Sequence, residues 1–163
     1  VIAAVTLKDM WQDIVESHDA GLSFASIWTI PLDEDADLAY PRAVWKEPNQ
    51  AGVPSGANNI LDTYECQVFF EDKLTTERTT NQRDTAHSDM SLVARECFNR
   101  FLDLYCRRIT TFGGYDIDFT LQGTYTLTPY WDKPGTMVTG VALTFTLRDN
   151  NPTCVTDATF PLS

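Results

Sequence analysis

Residues 116–150 read DIDFTLQGTYTLTPYWDKPGTMVTGVALTFTLRDN. Val141, Leu143, Phe145 and Leu147 occupy every second position, with Ala142, Thr144, Thr146 and Arg148 between them. A period of two is the pattern of a strand with one face buried and the other wet. Ile117, Phe119 and Leu121 alternate with Asp118, Thr120 and Gln122 in the same way. Between the runs lies Trp131-Asp132-Lys133-Pro134-Gly135, whose proline and glycine supply turn chemistry. The two runs read as long strands joined in an antiparallel hairpin. Such a hairpin is a scaffold or an assembly arm and carries no catalytic group of its own.

Immediately before the hairpin the period changes. Met90, Ala94, Cys97, Phe98, Phe101, Leu104 and Tyr105 follow helical spacing. Ser88 is one possible N-cap, and the helix could begin as early as Thr80. Arg107 and Arg108 fall in its last turn and Gly113-Gly114 end it. Residues 71–89 are polar throughout, either a loop or exposed first turns of that helix. Ile60–Phe70 reads as a strand with Tyr64, Cys66, Val68 and Phe70 on one face. Near the start, Thr6 and Asp9 form a capping-box variant. Leu7, Met10, Trp11, Ile14 and Val15 then make an amphipathic stripe, and Gly21 is a stop, giving a helix over 6–19. Leu22–Ile30 reads as the first strand. Residues 32–58, rich in Pro, Gly and acidic side chains, read as a long loop holding a short strand at Ala43–Lys46. A tail occupies 151–163. The expected fold is α+β over 1–163 as one domain: an antiparallel sheet of four to five strands, two amphipathic helices on one face and a long C-terminal hairpin.

The 163 residues are enough to bury roughly 70% of the unfolded surface without staples. Twelve Lys and Arg stand against 23 Asp and Glu, a net charge of −11 that disfavours phosphate-reading surfaces. No apolar run reaches the ~18 residues of a membrane span, so no membrane partner is expected. The four cysteines lack C-x-x-C spacing and read as reduced thiols. Cys97 and Cys106 lie too far apart along one helix to bridge.

Chemistry is sparse. His18 reads as a capping residue, and His87 has no second histidine at ligand spacing. Asp33–Asp37 lacks the glycine and distal glutamate of a calcium loop, leaving a solvated acidic loop. Asp116 and Asp118 read as solvent-facing strand residues. There is no G-x-S-x-G and no phosphate loop. No catalytic, cofactor-binding or metal residue is expected, and the chain reads as a non-enzyme. Trp11 and Trp28 fit core faces. Trp45 and Trp131, in a loop and at the hairpin tip, are candidates for contact with another protein, together with Asp132, Lys133 and Pro134. The same two tryptophans could serve a carbohydrate-binding or adhesin-like module.

The order of elements, the aromatic segment Tyr40–Trp45, the strand YECQVFFEDKL and the closing DFTL…VALTFTLRDNNP resemble neck and tail-completion proteins of tailed bacteriophages, most of all the tail terminator family. The resemblance spans about residues 6–154. It implies a structural virion protein, assembled in the host cytoplasm, that forms a homo-oligomeric ring, commonly a hexamer. That ring ends the tail tube and joins it to the portal-proximal head–tail connector. DNA would pass through its lumen without specific binding. Another neck or adaptor ring of the same connector fits the resemblance too. The projecting terminal hairpin is then the expected subunit connector, with its tip at Trp131–Gly135.

Overall fold

The structure, a computed structural model, describes residues 4–26, 40–56, 59–74, 80–131 and 138–154. In chain order these form α1 (Ala4–Glu16), β1 (Ser23–Ser26), β2 (Arg42–Pro54), β3 (Asn59–Lys73), α2 (Thr80–Tyr105), β4 (Thr110–Phe112), β5 (Tyr115–Ile117), β6 (Phe119–Trp131), β7 (Val138–Asp149) and β8 (Thr153–Cys154). The main sheet runs β1-β2-β3-β7-β6, with β8 paired to the far end of β3. All its pairs are antiparallel except one. Ser23–Ser26 of β1 runs parallel to Arg42–Trp45 of β2, so the sheet is mixed rather than purely antiparallel. The fold is α+β, as expected, with the β6–β7 hairpin closing it.

Both helices cover one face of the sheet because both carry the stripe read from the sequence. Leu7, Met10, Trp11, Ile14 and Val15 of α1 are buried, as are Met90, Ala94, Cys97, Phe98, Phe101 and Tyr105 of α2. They meet Val141, Leu143, Phe145 and Leu147 of β7 and Tyr64, Cys66, Val68 and Phe70 of β3 in one hydrophobic cluster. Phe145 is its hub. Its ring centroid lies 4.9 Å from Phe98, 5.5 Å from Trp11 and 6.0 Å from Phe101. Each such side chain contributes roughly 1.5–3 kcal/mol by leaving water.

Several boundaries differ from expectation for physical reasons. α1 begins at Ala4, so Thr6 lies inside its first turn and is buried rather than capping. α1 also ends at Glu16, short of the expected 19, and Gly21, with φ of 66° and its N–H on the His18 carbonyl, closes the turn that follows. α2 begins at Thr80, the earlier of the two options, and β3 runs on to Lys73. Gly113-Gly114 does not end α2. With φ of 57° and 82°, it turns the small β4–β5 hairpin, a geometry that suits two consecutive glycines. The helix has already ended at Tyr105, where the Cys106 and Arg107 amides bond the Leu102 carbonyl.

The largest departure lies in residues 32–58. Much of this expected loop is β2, a 13-residue strand paired with β3 from Arg42↔Glu71 to Pro54↔Ile60. Pro48 sits in the register shift between Lys46 and Asn49, where a missing N–H is tolerated, and Pro54 ends the strand. Gly52 lies directly under the Ile60 side chain, 2.8 Å from where a Cβ would stand. Turn-type residues here mark a bulge, a close approach and a strand end rather than a loop. The acidic run 33–37, Trp28 and the turn 132–137 lie outside the described residues, as does the tail beyond Cys154.

Candidate interaction surface

The β2–β3 ladder has two halves. In the first, Arg42–Trp45 are all buried, flanked by β1 and β3. In the second, Lys46–Pro54 are exposed apart from half-buried Pro48. On the other side, β7 leaves β3 at Thr63↔Arg148, and only β8 follows, at Asn59 and Ile60. Beyond Trp45 nothing among the described residues pairs with the outer edge of β2. This half is therefore an open-edged arm: the side chains of β2 stay out of the core, while β3 keeps β8 and then β7 on its other edge. Its own bonds hold it, Thr63 Oγ1 donating to the Ala51 carbonyl at 3.2 Å and the Ser55 amide to the Asn59 carbonyl at 2.8 Å. Near the tip Val53 pairs with Leu61, and Val53 is 56% exposed.

Among the described residues the strand pair with an open, core-free edge is β2–β3, and the described part of the terminal hairpin is built into the sheet. β7 is paired on both sides over its described length, from Val138 to Arg148 with β3 and from Thr139 to Asp149 with β6. Sequence reading placed the arm at β6–β7 because alternation is strongest there. Alternation, however, reports a core-facing strand. An arm with no core to face shows no such pattern.

The predicted contact residues fare unequally. Trp45 is not in a loop. It sits in β2, is completely buried and belongs to the central cluster, so it is a core residue and cannot meet a partner at the surface. Trp131 ends β6, paired with Thr139. Asp132, Lys133 and Pro134 lie outside the described residues.

A second feature faces outward between α2 and β6. Arg95, Glu96, Phe98, Asn99, Leu102, Arg107 and Tyr125 line an open groove of about 440 Å³. Tyr125 forms its aromatic wall, 40% exposed and 4.9 Å from the Phe98 ring. It is brought there by an irregularity in β6 between Gln122 and Thr126, which Gly123 permits with φ of 68°. Arg107 pairs with Asp103 one turn away and donates to Asn99 Oδ1 at 3.4 Å. The charged lining of the groove, Arg95 and Arg107 against Glu96, carries +1 in a chain of −11.

The titratable groups have structural partners. His18 Nδ1 accepts the Ala20 amide at 3.0 Å, and Nε2 lies 2.7 Å from Glu96 Oε2, so the ring holds the turn after α1 and ties it to α2. His87 Nε2 lies 2.6 Å from the buried Thr139 Oγ1, which in turn donates to the Tyr130 carbonyl. The Arg42 guanidinium donates to Glu71 at 2.6 Å, and the Tyr130 hydroxyl donates to the other Glu71 oxygen at 2.7 Å. Asp116 is exposed, and Asp118 accepts from the Asn150 side chain at 3.2 Å. Cys66, Cys97 and Cys106 are free thiols. Burial pushes Cys97 and Cys106 up to about 12 and Cys66 higher still, so all three stay protonated and unreactive near neutrality. Burial, reinforced by Asp62 and Asp149, likewise raises Tyr64 to about 12.

Among the described residues no three His, Cys, Asp or Glu side chains are placed to hold a metal, and no helix is long and apolar enough to cross a membrane. No protein-family model matches the chain, and no curated protein is significantly similar to it.

Proposed function

We infer that this chain is a structural subunit of a tailed-phage neck, a ring protein that ends the tail tube and joins it to the head connector. The observation that carries the reading is the β2–β3 arm. An unpaired strand edge is a template for pairing with another chain. The outer edge of β2 beyond Trp45, with its side chains out of the core, is suited to a neighbouring subunit. The sequence resemblance supplies the setting, a virion neck built in the host cytoplasm, and the expected hexamer. A ring needs a heterologous contact that closes by rotation, and an arm on one side of a subunit meets that need. The acidic balance of the chain suits a lumen through which DNA slides without adhering. The adhesin-like alternative loses one of its two stacking platforms, because Trp45 is buried. The test is native mass spectrometry and negative-stain imaging of the protein, alone and added to purified tail tubes. Closed rings, or rings capping the tubes and halting their growth, are expected. A strict monomer that ignores tubes and binds glycans overturns the reading.

A further inference from the structure

The geometry points to the α2–β6 groove as the seat for the β2–β3 arm of a second copy of this chain. The inference rests on the assembly reading above and names the two surfaces that would meet. Three observations select this occupant. The first is charge. The arm, 46–65, carries Lys46 against Glu47, Asp62 and Glu65, a net charge of −2, while the charged side chains lining the groove, Arg95 and Arg107 against Glu96, carry +1. Opposite potentials on two surfaces of one chain steer copies toward each other and suppress like-with-like pairing. The second is apolar match. Val53 is among the most exposed large hydrophobic side chains, and it pairs with Leu61 at the arm end. The groove offers the half-exposed Tyr125 ring and the partly buried Leu102 as a complementary floor. The third is placement. The arm belongs to the β1–β2 side of the sheet and the groove to the opposite side, beside β6. An arm and its seat at opposite ends of one subunit make a head-to-tail contact, in which each copy gives one arm and accepts another.

The test uses the full chain and reads self-association by analytical ultracentrifugation across concentration. Val53→Asp spoils the arm. Arg95→Glu with Arg107→Glu spoils the groove. All three residues are on the surface, and melting curves verify folding. If V53D melts early, V53S removes the same contact without adding a charge. Each variant alone is expected to self-associate about tenfold or more weakly than the wild type. Mixed one to one, the two variants are expected to give heterodimers that grow no further. The intact arm of the groove variant enters the intact groove of the arm variant, and no other competent pair exists. Rings that survive both variants unchanged overturn the arm-to-groove contact while leaving the ring reading intact. A mixture that stays monomeric, or a wild type monomeric at every concentration, also overturns it. Capping of purified tubes then decides the ring reading separately.

Discussion

Among the described glycines, Gly140 has the least room. A Cβ there would stand 2.1 Å from the Phe70 carbonyl oxygen, a backbone atom that cannot swing aside. Gly140→Ala is therefore expected to cost about 1–3 kcal/mol or more, read as a lower urea midpoint. Glu71 joins Arg42, which is almost fully buried, to Tyr130. Glu71→Ala removes the carboxylate from that guanidinium and is expected to cost roughly 3 kcal/mol. The buried thiols set the alkaline limit. Their folded values lie above the ordinary 9.0, with Cys97 at about 12 and Cys66 higher. Between pH 9 and 12 the unfolded chain loses these protons while the folded chain keeps them. Their contribution is thus complete below pH 9 and falls as pH rises, by about 1.4 kcal/mol per pH unit for each thiol. Urea titrations at stepped alkaline pH check this, and Cys97→Ala is expected to flatten the slope.

At the scale of elements, the core and the arm respond differently. Phe145→Ala removes the hub shared by both helices and is expected to cost about 3–5 kcal/mol. Val53→Asp, on the arm, is expected to change stability, read from urea titrations, by less than about 0.5 kcal/mol. This contrast also explains what was legible in the sequence. The stripes of α1 and α2 and the alternation of β3 and β7 are imprints of one core, so periodicity found them. Half of β2 touches no core, and its Pro48, Gly52 and Pro54 carry the composition of a loop. Its extended pairing is dictated by β3, far along the chain, which no local pattern records. Trp45 was misplaced for the same reason: reading its surroundings as loop hid the one half of β2 that enters the core. The groove at Tyr125 depends on an irregularity at Gly123, visible in sequence only as a glycine within a strand.

For the whole molecule, the proposed head-to-tail contact sets −2 on the arm against +1 at the groove. Self-association is accordingly expected to weaken as ionic strength rises, because exposed charges are screened over about 10 Å at 0.1 M salt. Sedimentation at low and high salt measures this, and insensitivity to salt would leave the apolar contacts as the only attraction. The strand order has a further consequence, for biosynthesis. β7 lies between β3 and β6 yet is among the last strands made. Until about residue 149 leaves the ribosome, β3 has a bare inner edge and the aromatic side of α2 has no Phe145 to close on. The β3 edge and the aromatic side of α2 thus wait for a strand made well after them, and the core closes through distant pairings, which are slow to form. A truncation that stops short of Val138 lacks the strand that joins β3 to β6 and is expected not to fold.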